Sequence, residues 1–309
     1  MKNLEKKIEN KAYLFTDQDI VVVIAAYNNT EYLIKCVESL KKSNDVEVKI
    51  IIIDDSSKIQ IKGVFEKCNL DAGIVFIRNK SEKWWAESTQ IGINVALENG
   101  ARKILLMNPD VLVDSNCIFE LNKHLVDLSL DVACSCIYDT KGHIWWAGSK
   151  LKIIDLFVAK IVYLRQLKHA FETNRREGLW KTDEFSGRAV LLSSKIFSSG
   201  VTLNYKKYPQ YFSDTEFSLA VTINGFLACV VGSAKATVEE ENSGQVNTKS
   251  NNYFKHLIKR LFNWRNGGIV PNWFLFFRAH YSFGTAFVST FILAFRMFVH
   301  ITYEWFRLK

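Results

Sequence analysis

Glycine and proline are scarce in this 309-residue chain, at 15 and 3. That scarcity excludes a collagen-like or linker-rich protein. Long disorder is excluded as well, because 48% of residues are hydrophobic and only 23% are charged. The length suits one large α/β domain or two smaller ones. Cysteines at metal-ligand spacing are also missing. Cys36, Cys68, Cys117, Cys134, Cys136 and Cys229 include no CxxC, and Cys134-Ser-Cys136 is closer than zinc sites use. Reduced, buried thiols and a reducing compartment are expected. The opening MKNLEKKIENK has no apolar run, so no signal peptide is expected. Six histidines show no HExxH spacing, and no nucleophile elbow is present, which disfavours zinc and serine hydrolases. Neither a dinucleotide fingerprint nor a P-loop occurs. Hydride-transfer Rossmann enzymes and Walker ATPases are therefore disfavoured. AAYNNTEY, after the first apolar run, lacks the glycines and basic residues a nucleotidyltransferase needs for a triphosphate.

What is present is an alternation of β-branched runs and helical patterns. Ile20–Ala26, Val48–Ile53, Ile74–Ile77, Lys103–Met107 and Val132–Ile137 read as buried strands. Leu33, Val37 and Leu40 recur at helical spacing after Asn28, Asn29 and Thr30, which can cap. Ser88–Leu97 reads as a helix stopping near Gly100. This is the βαβ signature of an open, mostly parallel sheet with flanking helices. Residues 150–182 are basic and mixed, and read as a helical insertion or loop. Ala228–Val231 reads as a short strand.

Ligands of such sheets bind beyond the carboxyl ends of the strands. Asp54-Asp55 close one strand there, where carboxylates can accept from a base or ribose or merely cap a turn. Asn108-Pro109-Asp110 close another, where a carboxylate can hold Mg²⁺ or Mn²⁺ or simply favour a turn. Asp214 and Glu216 lie among Tyr208, Tyr211, Phe212 and Phe217. Desolvation there would make a usable general base, whereas exposure would leave an ordinary acidic helix start near Ser213. Trp84-Trp85 and Trp145-Trp146 are adjacent pairs. One ring of each pair is expected in the core and the other free to stack on a base or sugar.

In this order, VVVIAAYNN, IIIDDSS, NKSEKWWAESTQIGINVALENGARKILLMNPDV, EFSGRAVLLSSKIF and YPQYFSDTEFSLAVTINGF resemble the inverting family 2 glycosyltransferases with the GT-A fold. The resemblance covers roughly residues 18–245 and is nearest to rhamnosyltransferase-like members that build bacterial surface polysaccharides. It implies a nucleotide-sugar donor, dTDP-rhamnose or a UDP-hexose, and a glycan or polyprenyl-linked acceptor. It implies a divalent metal, Mg²⁺ or Mn²⁺. By position, Ala25, Tyr27, Asp54, Asp55, Trp84, Trp85 and Asn108 fall on the donor side, Asp110 on the metal and Asp214 on the base. Arg188 and Glu216 fall on the acceptor or a phosphate. Three positions depart from the pattern: Asn108 where many members have Asp, Ala220 where many have Arg, and no His near Glu239–Gly244. Glu240 or Asn242 could supply oxygen there instead. The altered metal site keeps open a non-catalytic sugar-nucleotide-binding or assembly role.

Residues 250–309 carry eight Lys/Arg against one Glu, and 17 of the 41 aromatics. The expected division is a catalytic domain over 1–249 and a helical extension over 250–309. Seventeen residues between Arg278 and Arg296 lack charge, at the short limit for a spanning helix. Helices lying on a membrane are favoured over a core or homodimer helix and over a span. The protein is expected at the cytoplasmic, inner face of a bacterial plasma membrane, with no nucleic-acid partner.

Overall fold

The structure, a computed structural model, describes residues 14–44, 46–156, 159–167, 178–239, 252–262 and 270–307. The first half is the expected α/β alternation. Strands β1 (Ile20–Ala26), β2 (Val48–Asp54), β3 (Ile74–Arg78) and β4 (Lys103–Met107) run parallel in the order β4-β1-β2-β3. Val22 aligns with Ile50 and with Leu105, and all three are buried. Helices α1 (Thr30–Lys41), α2 (Ile61–Lys67) and α3 (Trp84–Glu98) connect them. Leu33, Cys36, Val37 and Leu40 form the buried stripe of α1. The expected side-chain cap at its start is absent. Asn28 instead reaches across to the next connection, where its N–H donates to Ser57 Oγ and its Oδ1 accepts from Lys58 N–H.

Beyond β4 the sheet becomes mixed. The remaining elements are β5 (Val111–Val113), α4 (Cys117–Asp127), β6 (Val132–Tyr138), β7 (Ile144–Trp146), β8 (Ser149–Asp155), β9 (Lys160–Gln166), β10 (Leu179–Lys181), β11 (Val190–Ser193), α5 (Lys195–Ser198), α6 (Ser213–Ile223), β12 (Ala228–Val238), α7 (Tyr253–Phe262), α8 (Val270–His280) and α9 (Phe283–Arg307). The full order is β10-β12-β6-β11-β4-β1-β2-β3, with β5 on β12 and β7 on β6. β11 is antiparallel to both β4 and β6, while β6 and β12 are parallel.

Two expectations are corrected. Described residues within 150–182 include an antiparallel hairpin, β8 paired with β9, rather than a helix or loop. Lysines interleaved along this partly exposed hairpin hid its strand alternation. β12 continues past Val231 to Val238, through a register shift that re-pairs Lys235 with Cys136. A second core joins the hairpin, α6 and the tail: Val162, Tyr208, Phe212, Leu219, Phe276, Phe277 and Ala286. The expected boundary at 249/250 lies outside the described residues. All six cysteines are free, and Cys68 is exposed against expectation.

Candidate active site

The carboxyl ends of β1, β2 and β4 meet at one edge of the sheet. Ala25 is buried in register with Ile53, and Tyr27 is exposed at the rim. Asp54 and Asp55 are buried. Asp54 accepts from Ser57 N–H and Ile61 N–H, and pairs with the Arg78 guanidinium. Asp55 accepts from Asn79 Nδ2 and Lys83 N–H, both at 2.8 Å, and from Trp84 N–H at 2.9 Å. A carboxylate offers about four acceptor sites, so both acids chiefly fix backbone. Asp55 thereby pins Trp84 in a left-handed conformation, φ 64°, at the start of α3.

The next two N–H groups of α3 are taken by the YPQYF segment. Trp85 N–H donates to Gln210 Oε1 at 2.8 Å, and Ala86 N–H to the Pro209 carbonyl at 3.0 Å. Trp84 and Trp85 are both half-buried, and Trp85 packs against the main core, as expected of one ring of the pair. The other pair behaves as expected. Trp146 is buried, and Trp145 lies under the Arg188 guanidinium at 4.5 Å.

Trp85 links the halves of the cleft. Its indole N–H donates to Asn108 Oδ1 at 2.9 Å. Its six-membered ring covers Gly187, where an added Cβ would stand 2.5 Å from Cζ2. The Thr215 N–H donates to the Asp214 carboxylate at 2.9 Å, and the Gly187 backbone lies close enough to favour its charged form. Burial pushes the Asp214 carboxyl above its ordinary value, against the downward pull of Arg188. Asp110 is affected the same way: burial raises it and Arg188 opposes. One guanidinium thus serves two carboxylates.

Glu184 was missed by the sequence reading. It is buried, accepts from Trp146 Nε1 at 3.3 Å, and accepts from the Thr215 hydroxyl at 3.4 Å. Burial raises its carboxyl, and the Asp214 charge raises it further. Its only signal was an acid two residues before Ser186-Gly187-Arg188. Glu216 is not brought together with Asp214. Two residues along a helix are about 200° apart, so Glu216 lines a separate cleft of about 460 Å³ with Asn204, Lys206 and Asn224. Burial raises its carboxyl too.

Strain and unmet polarity gather here. Of the seven non-glycine residues with positive φ among the described residues, Asn69 and Ser129 follow helices, whereas Asn28, Ser56, Trp84, Ala189 and Phe212 lie on connections or helix starts around the site. Among the described residues, eight buried side-chain atoms lack a partner, and three of these are Asp110 Oδ1, Ser186 Oγ and Arg188 Nε. The orphaned Asp110 oxygen fits a hard cation. Glu239 is beside it, donating its N–H to the Asp110 carbonyl at 3.1 Å. No group of three or more His, Cys, Asp or Glu gathers among the described residues. Any further ligands would come from the diphosphate or from residues such as Glu240 and Asn242, which lie outside the described residues.

Residues 21–200 match the family described as Glycosyl transferase family 2. Glycosyltransferase GlyG of Streptococcus pneumoniae serotype 4 (strain ATCC BAA-334 / TIGR4) is 25% identical over 179 residues, 56% of this chain. The chain spans about half the length of that relative, 54%. S. aureus TarS 1-349 in complex with UDP-GlcNAc has a similar fold, with a TM-score of 0.53 at 11% identity, over 85% of this chain and 73% of that one. So does GalNAc-T7 with UDP, GalNAc and Mn²⁺, with a TM-score of 0.56 at 14% identity, over 87% of this chain and 55% of that one. The fold is GT-A.

Proposed function

Because the chain belongs to glycosyl transferase family 2, we propose that it transfers a sugar from a nucleotide-sugar donor to a hydroxyl acceptor with inversion. The donor is dTDP-rhamnose or a UDP-hexose, and the acceptor is a cell-surface glycan or its polyprenyl-linked precursor. Residues 1–249 carry the chemistry. Ala25, Tyr27, Trp84, Trp85 and Asn108 line the donor side, and Asp54 and Asp55 fix its backbone. Asp214 takes the proton from the acceptor hydroxyl as that oxygen bonds to the anomeric carbon. The bond to the diphosphate breaks on the opposite face, and the nucleoside diphosphate leaves. A carboxyl raised by burial is a stronger base once ionised. Arg188 favours the ionised forms of Asp214 and Asp110 against the effect of burial, and its Nε is available to a phosphate or acceptor oxygen. Asp110 and Glu239 would hold Mg²⁺ or Mn²⁺, which when bound offsets charge on the leaving diphosphate. Glu216, in its own cleft, contacts a more distant part of the acceptor.

The observation that carries this reading is that two half-buried carboxylates, Asp110 with an unpartnered oxygen and Asp214 held by the Thr215 N–H, lie within the electrostatic reach of one guanidinium, Arg188. The test is release of nucleoside diphosphate from a panel of dTDP-, UDP- and GDP-sugars with Mg²⁺, Mn²⁺ or EDTA. Metal-dependent release from one donor, lost in Asp110→Asn and Asp214→Asn, is expected. The engagement of Asn108 by Trp85 supports a second reading, a donor-binding protein without turnover. Tight calorimetric binding of one donor with no release, even with acceptor, would establish it. The enzyme works peripherally at the inner face of a bacterial plasma membrane, held by residues 250–309.

A further inference from the structure

Helix α9 is built inside out. Thr285, Ala286, Ser289 and Thr290 face the protein. Phe283, Phe287, Phe291, Phe295, Phe298 and Phe306 are 40–71% exposed, and their steps of mostly three or four residues place them on one stripe. The inward hydroxyls have a defined task. Thr285 Oγ1 accepts from Lys160 N–H at 3.1 Å. Ser289 Oγ accepts from Val162 N–H at 2.9 Å and donates to the Lys160 carbonyl at 3.3 Å. They satisfy the open edge of β9 much as another strand would.

The exposed apolar surface continues beyond α9. At the hairpin tip, Ile153, Ile154 and Leu156 are exposed, and Ala159 lies against Gly284. On α7, Phe254, Ile258 and Phe262 are exposed at four-residue steps. α7 is tied to α9 by Tyr253 Oη and Thr302 Oγ1 at 2.6 Å, and by Tyr253 against Trp305. An apolar surface running over three elements marks an interaction site.

Charge selects the occupant. Residues 250–309 hold eight Lys/Arg and one acid. That acid, Glu304, is paired with Arg260 at 3.5 Å and His300 at 3.2 Å. Two copies stacked through this face would bring together two segments of net charge +7 each, whereas anionic headgroups complement it. A span is disfavoured by the seat of the helix. α9 has 25 residues, its most apolar 18-residue stretch has a mean hydropathy of 1.5, and its length of about 37 Å would suffice. Crossing a bilayer would strip Lys160 and Val162 of their partners and carry Thr285, Ser289 and Thr290 into hydrocarbon.

We propose that α9 lies flat on an anionic bilayer with its phenylalanine stripe in the interface and with α7 and the β8–β9 hairpin tip seated beside it. This deepens the peripheral placement proposed above. The docking elements brace the segment that bears the base, since Trp273 of α8 packs on Phe212 at 4.7 Å, two residues before Asp214. The surface is thereby coupled to the cleft.

The test is sedimentation of the full chain with vesicles of phosphatidylcholine alone or mixed with phosphatidylglycerol. Binding to the anionic vesicles only is expected, weakening severalfold as salt is raised. Phe287→Glu/Phe291→Glu should lose at least tenfold in binding, and Ile154→Glu should lose severalfold. Phe119→Glu, an exposed phenylalanine on α4, should bind as the parent does. Unchanged binding by both the Phe287/Phe291 and the Ile154 variants overturns the proposal. So does resistance of the vesicle-bound chain to alkaline carbonate, which marks a span. A dimer broken by the Phe287/Phe291 variant, without vesicle binding, assigns the face to a second copy instead. Donor hydrolysis is read in parallel. Hydrolysis without docking overturns only the surface, and docking without hydrolysis overturns only the transferase reading.

Discussion

The Trp85 indole N–H donates to the Asn108 carboxamide oxygen at 2.9 Å, so the residue just past the end of β4 holds an aromatic wall. Aspartate offers the same acceptor. Asn108→Asp should therefore keep its melting temperature while lowering the half-saturating metal concentration, because a second negative charge joins Asp110. Asn108→Ala leaves the indole N–H without its partner. It should lose about 1 kcal/mol of stability, roughly 2–4 °C in melting temperature. Calorimetry and metal titration of donor hydrolysis check both.

Gly187 is the contact point of that wall. A methyl there would stand 2.5 Å from Trp85 Cζ2 and 3.0 Å from Cη2. The ring is anchored by Asn108 and cannot retreat freely. Gly187→Ala should displace the ring and the Gly187 backbone that lies beside Asp214. A loss of at least tenfold in kcat/KM, about 1.4 kcal/mol in the barrier, is expected with little change in melting temperature. Trp85→Phe/Gly187→Ala, with a smaller ring, should recover part of the loss. If Gly187→Ala has parental kinetics, the Trp85–Gly187 contact has no part in positioning the base.

Much of this arrangement was legible in the residues. β-branched runs too short for helices gave four parallel strands and their acidic ends, because burial on both faces leaves little else for such runs. The aromatic neighbours of Asp214 pointed to its desolvation, and the acids after Ser213 pointed to a helix start there. Other features depend on long-range pairing that composition does not encode. Asp54 and Asp55 look like ligand groups in sequence, yet three protein donors meet each of them, from residues 57–61, 78–79 and 83–84. The hairpin was obscured because its outer face is lysine-rich and its edge is closed by hydroxyls about 125 residues away. Glu216 could not be separated from Asp214 until the helix fixed their opposite faces.

The Arg188 charge opposes burial at both Asp110 and Asp214, which sets the direction of two pH effects. With Asp214 as the proposed base, activity needs its ionised form, so kcat/KM should rise with pH through a value above the ordinary aspartate range. Arg188→Gln removes the opposing charge and should move that acid limb to higher pH. Stability runs the other way. A carboxyl raised in the folded state binds more protons there than in the unfolded chain. Its contribution is complete below the unfolded value and lost as pH rises through the folded one. Asp214→Asn should therefore be more stable than the parent at neutral pH, with the gain shrinking as pH falls from the raised folded value to the unfolded aspartate value, below which it is gone. Urea melts at several pH values check the sign.

Glu184 reaches the base through Thr215, whose hydroxyl donates to Glu184 Oε1 while its N–H donates to Asp214 Oδ1. It is a positioning residue, raised by burial and by the Asp214 charge, so its neutral form persists to higher pH than an ordinary glutamate. Glutamine keeps an acceptor oxygen for Thr215, gives up the one toward Trp146 and cannot ionise. Glu184→Gln should match the parent where Glu184 is protonated and exceed it at higher pH, where the parent gathers a second negative charge beside Asp214. Glu184→Ala removes the acceptor and should lose tenfold or more in kcat at all pH values, with donor KM little changed. The kcat profile against pH separates these outcomes. A Glu184→Gln profile parallel to that of the parent would show that Glu184 serves only to hold Trp146 and Thr215 in the fold.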